Sequence, residues 1–391
     1  MKILFWPAWY PRPSHPADGI FVRRFAEAVK PYHDVAVICV YSEGKWKEIK
    51  GLFKIISEKN DGILELRVNT LRTPIPFLNF FLRFLGSIIA FEKLLKDGFK
   101  PDIIHIHIFS APLSVLFIGK LYGIPLILTE HAAEFTGSAL RFWEVWRAKI
   151  VMKNCQIILP VTNDLAQALR SYGIKRIFRV IPNVVDTRAF HPLPAGVWET
   201  HRKVKPTRFI SVGNLIPRKN FSLLIKAGAI LAKRRRDFEI WIVGDGPLRN
   251  TLEELAEREG IRDLVRFLGA KKPWEVAEIM RQAHIFVFPT LNETYGCVAV
   301  EAMSCGLPVI ATDVPGVREI VKPSPGILVP SNDAIALAGA MENVLDNLHF
   351  HDPRLFSSYA HSNFSYERIG KMLNTIYMAV YNFKNAHKQS G

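Results

Sequence analysis

The chain is short of cysteine, of uninterrupted apolar runs and of acidic residues, and each shortage excludes something. Its four cysteines, Cys39, Cys155, Cys297 and Cys305, form no C-x-x-C pair and no zinc spacing. Neither a disulfide framework nor a structural zinc site is therefore expected. They lie in or beside apolar runs and read as buried free thiols of a reducing compartment. The most apolar stretch, residues 73–100, contains Asn79, Arg83 and Glu92, so no run reaches the ~20 residues of a spanning helix. The opening MKILFWPAWYPRP is broken by prolines after one short apolar run. That suits a first strand better than a secretory leader, and the expectation is a cytoplasmic protein. Asp and Glu number 36 against 51 Lys and Arg, a net charge of +15. Such an excess favours anionic partners: nucleic acid, a membrane surface or phosphorylated substrates. The basic residues are scattered and accompany no nucleic-acid fold signature, so no nucleic-acid partner is expected.

What is present is a long alternation of short β-branched runs with helical patterns. In the first half the runs are KILFW, DVAVICV, ILELRV, DIIHIHI, PLILTE, QIILPV and IFRVI. Helical patterns such as IFVRRFAEAVK and NDLAQALRSYG separate them. The order pauses over residues 183–207 and resumes with RFISVGNL, FEIWIVGDG, LVRFLGA, HIFVFPT, LPVIATD and GILVP. Near-continuous apolar strands with helical crossovers imply parallel sheets covered on both faces. The expectation is an α/β protein of two doubly wound, Rossmann-like domains facing a central cleft. They are placed at residues 1–195 and 196–363, with a linker near 190–206. A C-terminal helix over 364–391 would pack back across one of them.

Open α/β sheets bind ligands outside the carboxyl ends of their strands. After RFISVGNL, Arg218 and Lys219 fall where a helix begins, which suits a phosphate or diphosphate. After FEIWIV come Gly244 and Gly246, which let the backbone approach a ligand; the spacing is not G-x-G-x-x-G. After HIFVFPT comes NETYGCVAVEAMSCG, in which Gly296 opens a short helix ending near Ser304. Glu301 falls in its second turn and leans toward the free N–H groups of Tyr295, Gly296 and Cys297. Glu293 stands just before the helix. A carboxylate beside a phosphate makes sense where it accepts hydrogen bonds from hydroxyls. Otherwise Glu301 pairs locally and Glu293 is a solvated loop residue.

Taken together these residues resemble the retaining glycosyltransferases of family 4 (group 1 type), which have the two-domain GT-B architecture. The E-x7-E pair, Glu293 and Glu301, lies within NETYGCVAVEAMSCGLPVIATDVPGVREIV, and VGNLIPRKN and VGDGP match donor loops. In the first half, PLILTEHAAEF points to His131 as the histidine that contacts the transferred sugar. HPADGIFVRRFAEAV resembles the early loop near the reaction centre, carrying Gly19, and IPNVVD the junction between domains. The chain departs at Ile20, where a second glycine is frequent, at Asn220 after the basic pair, at Tyr295 for Phe, and at Glu134 for Asp.

The resemblance implies a nucleotide-diphosphate sugar as donor, UDP- or GDP-linked, and a sugar, glycan or lipid-linked hydroxyl as acceptor, with the anomeric configuration retained. Gly213, Arg218, Lys219, Gly244, Gly246, Thr294, Tyr295, Gly296, Cys297 and Glu301 would bind the donor with Gly19. Glu293 and His131 would hold the transferred sugar, and Asp18, Gly19 and Glu134 would face the acceptor. No D-x-D triplet occurs, so neither a metal held by such a pair nor a cofactor is expected. The competing readings are a sugar-nucleotide epimerase on the same fold and a non-catalytic subunit that only binds nucleotide sugar. Residues 73–100 read either as a core helix or as a helix whose Phe-rich face enters an anionic cytoplasmic leaflet. Residues 141–154 share that basic and aromatic character.

Overall fold

The computed structural model describes residues 1–12, 15, 18–44, 51–137 and 140–389. Its contacts divide the chain into two compact units. One is formed by Met1–Val184 together with the chain from Tyr366 onward, the other by Val185–Ser365. The second unit thus begins at Val185 rather than at the expected 196. The expected linker also holds a helix, Ala195–His201, whose Trp198 is buried.

The first unit carries β1 (Lys2–Pro7), β2 (Asp34–Gly44), β3 (Phe53–Asn60), β4 (Ile63–Leu71), β5 (Ile103–His107), β6 (Leu126–Glu130) and β7 (Ile157–Pro160). Their spatial order is β3-β4-β2-β1-β5-β6-β7. All neighbours run parallel except β3, which pairs antiparallel with β4 at the edge. Lys54, Glu58 and Lys59 on β3 are exposed, and charged side chains of this kind discourage further strand pairing. The segment IFRVI makes no full strand: Phe178 bridges Ile158, and the Arg179 and Ile181 N–H groups donate to the Ile158 and Pro160 carbonyls, both at 3.1 Å.

Helix Ile20–Val29 and the C-terminal helix Tyr366–Gln389 cover one face. Phe25, Val29, Ile369, Leu373 and Tyr377 meet Ile3, Phe5, Val35 and Val37 of the sheet in one core. Gly370 permits this crossing, because a Cβ there would stand 2.2 Å from the carbonyl oxygen of Ala28.

The second unit carries β8 (Thr207–Val212), β9 (Phe238–Val243), β10 (Val265–Gly269), β11 (Ile285–Phe288), β12 (Val309–Thr312) and β13 (Ile327–Val329). They lie in the order β10-β9-β8-β11-β12-β13, all parallel. Ile240, Ile242, Val287 and Ile310 from the sheet pack with Leu223, Leu224 and Leu337 from flanking helices. In both sheets the order reverses beside the first strand, between β1 and β5 and between β8 and β11. Such switch points open a crevice at the carboxyl ends, and the sequence-derived site residues follow those strands.

Candidate active site

In the second unit, β8 ends at Val212 and the chain passes through Gly213 to a short 3-10 turn, Pro217–Lys219. Asn220 then adopts the left-handed conformation, φ 50°, and helix Phe221–Ala232 begins. Asn tolerates that region better than most residues, which accounts for its place where glycine is frequent. The loops after β8 and β9 are stitched together: Leu215 N–H donates to the Asp245 carbonyl at 2.9 Å, and Leu248 N–H to that of Leu215 at 3.1 Å. The fit is close enough to require glycine. A Cβ on Gly244 would stand 1.9 Å from the Gly213 carbonyl oxygen, and one on Gly246 2.7 Å from that of Leu215.

The loop after β11 closes on the same corner. Leu291 N–H donates to the Arg218 carbonyl at 2.9 Å. The buried hydroxyl of Thr290 bridges the carbonyls of Arg218 and Asn292, at 3.1 and 3.2 Å. Glu293 is buried, and its carboxylate takes two cations: Lys219 Nζ pairs with Oε1, and Arg218 Nη1 lies 3.3 Å from Oε2. Arg218 also donates to the Asn292 carbonyl at 3.1 Å, while Lys219 Nζ sits 5.2 Å over the Phe288 ring.

Two cations on one carboxylate leave a net positive charge beside the start of helix Cys297–Ser304, whose N-cap Gly296 has φ 81°. That helix start adds a partial positive charge. Glu301 lies buried in the second turn. The Tyr295 ring is buried against Phe364, 6.1 Å between centroids. Its backbone N–H, rather than its hydroxyl, is therefore what it offers a ligand.

In the first unit, β1 leads toward Gly19, φ 65°, where a Cβ would meet the Trp9 carbonyl oxygen at 2.3 Å. Asp18 is exposed and pairs with Arg12 at 3.0 Å. Pro16 and Ala17 of the early loop lie outside the described residues. His131 follows β6, its ring 4.5 Å from that of Phe21. It is the outermost of three imidazoles. His107 Nδ1 and His131 Nε2 share a 3.0 Å hydrogen bond, and the rings of His105 and His107 are 4.4 Å apart. His105 bonds Tyr377 at 2.6 Å and Thr129 at 2.7 Å. Burial pushes His105 and His131 down to about 3, and His107 well below its ordinary value. The rings are therefore neutral, and one of the His107–His131 pair donates to the other. Glu134 is exposed at the start of the short helix Glu134–Gly137.

These geometries coincide with matches to known families. Residues 197–360 match the family model described as Glycosyl transferases group 1, and residues 19–189 that described as Glycosyltransferase Family 4. The chain belongs to the group 1, family 4 glycosyltransferases. One relative of this family 4 member is a component of the human phosphatidylinositol N-acetylglucosaminyltransferase. It is 33% identical over 226 residues, 57% of this chain and 46% of the human one. The D-inositol 3-phosphate glycosyltransferase of Paenarthrobacter aurescens is 29% identical over 287 residues, 68% of this chain and 70% of its own. The chain therefore spans less than half of the human relative. Two solved structures share the fold. Sucrose-phosphate synthase from Thermosynechococcus elongatus has a TM-score of 0.75 at 21% identity, covering 97% of this chain and 99% of its own. Anabaena HepE, solved in complex with UDP, has 0.74 at 18%, covering 97% and 100%.

Three further residues of this family 4 member escape a reading by motif. Thr290 ties two donor-side loops together, as described. Gly316, after β12, has φ 78°, and a Cβ there would stand 2.5 Å from the Thr294 carbonyl oxygen and 2.6 Å from that of Glu293. Its sequence signal was the Pro-Gly pair within the stretch NETYGCVAVEAMSCGLPVIATDVPGVREIV, which assigns it no role. Glu130 ends β6, fully buried. Its Oε1 accepts from His131 and Ala132 N–H, at 2.9 and 3.0 Å, and its Oε2 from Phe109 N–H at 3.0 Å. Burial pushes this carboxyl up to about 7 against the pull of those three donors. It fixes the loops after β5 and β6, and with them His131.

Proposed function

We propose that the protein is a retaining glycosyltransferase, moving a hexose-type sugar from a nucleotide-diphosphate donor, UDP- or GDP-linked, to a hydroxyl of a glycan, glycolipid or small acceptor. The observation that carries this reading is the convergence of Arg218, Lys219 and Glu293 beside the start of helix Cys297–Ser304. Breaking the bond between anomeric carbon and phosphate oxygen leaves a diphosphate and an oxocarbenium-like centre. Arg218, Lys219 and the backbone N–H groups of Gly296 and Cys297 receive the diphosphate charge. Glu301 accepts from the ribose hydroxyls and Glu293 from those of the transferred sugar. On the first unit, His131, a neutral imidazole, is assigned a hydrogen bond to a sugar hydroxyl. The acceptor oxygen forms its bond on the face the phosphate leaves, and its proton passes to the departing phosphate oxygen. Asp18, Gly19 and Glu134 serve the acceptor side. No D-x-D-bound metal takes part in this scheme. The exposed aromatic face of residues 73–100 supports peripheral contact with the inner face of an anionic membrane.

The test is a panel of UDP-, GDP- and ADP-sugars, with calorimetry for binding and nuclear magnetic resonance for the product's anomeric configuration. Arg218→Ala and Lys219→Ala should each lower transfer by about 10²–10³ with the fold intact, Lys219→Ala also lowering the melting temperature because it takes a partner from buried Glu293. Wild-type turnover in both variants, or an inverted product, would sink the assignment.

A further inference from the structure

Helix Pro76–Lys96 is neither wholly a core helix nor wholly exposed. Leu82, Gly86, Ala90 and Leu94 are buried, while Phe77 is 77% exposed and Phe81 50%. Helix Phe142–Lys153 exposes Phe142, Trp143 and Trp146. A cavity of about 290 Å³ is lined by residues of both helices, with Ser42 of β2 and Pro112 and Leu113 beyond β5.

Two guanidiniums line this cavity, Arg83 and Arg147, beside the rings of Phe80 and Phe84. Arg147 Nη2 donates to the carbonyls of Ser110 and Ala111 at 2.7 and 2.8 Å. Arg83 Nη2 reaches only the Val40 carbonyl, at 3.4 Å. The Nε of each is buried and has no hydrogen-bond partner among the described residues. Nor does any carboxylate among the described residues pair with either. Burial lowers both guanidiniums below their ordinary values, and for Arg147 the charge of Arg83 adds to that. Two half-buried cations with no carboxylate partner among the described residues favour an added anion. Arginine's planar fork suits phosphate oxygens, bound two at a time.

The surroundings decide which phosphate. Phe77, Phe80 and Phe81 recur at helical spacing on one helix, and Trp143 and Trp146 three residues apart on the other. Exposed rings beside half-buried cations match the boundary of a bilayer, where aromatic bodies lie at headgroup depth and phosphate is abundant. A soluble sugar phosphate would have no use for them.

We propose that this cavity is a binding site for the headgroup phosphate of an anionic lipid, held by Arg83 and Arg147 while the neighbouring rings enter the acyl boundary. It rests on the membrane-facing reading of residues 73–100, and it is independent of which sugar is transferred.

Flotation of the full chain separates the two ideas, using vesicles of phosphatidylcholine alone or mixed with phosphatidic acid. Wild type should prefer the acidic vesicles. Arg83→Gln should weaken that binding about fivefold, the worth of one cation at an anionic surface, without changing binding to neutral vesicles. Arg83→Lys should retain much of the preference. Phe77→Ser with Phe81→Ser should weaken binding to both vesicle types. Wild type floating with neither would overturn both the membrane reading and the site. Wild type that floats without preferring acid, or Arg83→Gln floating as wild type does, would overturn the site alone. Displacement by glycerol 3-phosphate at constant ionic strength would reassign the cavity to a soluble phosphate and so also overturn the lipid assignment. Arg83→Gln is chosen over Arg147→Gln because Arg147 also holds the Ser110–Ala111 backbone.

Discussion

Replacing Gly244 by alanine adds one methyl group where the loops after β8 and β9 touch. The new Cβ would stand 1.9 Å from the Gly213 carbonyl oxygen, whereas ordinary contact begins at 3.4 Å. Gly213 and Gly244 must therefore part by about 1.5 Å, at φ 137°, a conformation that alanine rarely adopts. Each is pinned to a neighbouring strand, Gly213 N–H to the Val243 carbonyl and Gly244 N–H to that of Gly269, both at 2.9 Å. The displacement therefore passes along the loop toward Arg218 and Lys219. A misplacement of about 1 Å can cost about 10² in rate, so Gly244→Ala should lower turnover by about 10² or more and weaken nucleotide-sugar binding in calorimetry. Gly339→Ala is the control: nothing lies within 4 Å of its Cβ, and it sits in helix Ala334–Asp346. It should leave turnover alone and raise stability by up to about 1 kcal/mol. Wild-type binding and turnover in Gly244→Ala would refute the claim that this contact sets the donor loop.

Two other perturbations probe the first unit. Glu130→Gln must turn its amide toward one of the three N–H donors now facing the carboxylate. A loss of about 1.5–3 kcal/mol is expected, with a lower melting temperature and slower turnover together; unchanged melting would count against the clamp. For pH, His105 and His131 have folded values of about 3 against 6.5, so their contribution is full above 6.5 and is lost as pH falls toward 3. Each represents about 2 kcal/mol at pH 5, with His107 in the same direction. Glu130 opposes them: its folded value of about 7 is raised, so its contribution is present below 4.5 and lost as pH rises through 7. The histidines outnumber it, and urea midpoints should be lower at pH 5 than at pH 7.5. Equal midpoints would show that the imidazoles are not held neutral.

Strand identity was largely legible because buried parallel strands are apolar on both faces, as DIIHIHI and HIFVFP are. Strand β3 was not, since its residues FKIISEKN alternate charge along a solvated edge. IFRVI is intermediate: Ile177, Arg179 and Ile181 bond along Ile158 and Pro160 of β7, yet a single bridge at Phe178 is all the ladder it makes. Glu293 illustrates the site. Its place before a helix could be read from spacing, but its two cations lie 74 and 75 residues upstream, across a switch point that only the fold creates. Thr290, Gly316 and Glu130 act by holding other residues' backbones, which no side-chain motif records.

The last helix belongs to the core of the first unit, where Ile369, Leu373 and Tyr377 pack, yet the whole of the second unit precedes it in the chain. During synthesis that face of the first sheet therefore has only helix Ile20–Val29 over it until residues 185–365 have been made, roughly 10–40 s at ordinary elongation rates. The second unit, a continuous segment, has no such wait. The half of the molecule begun first thus closes its core only after the other half has been made.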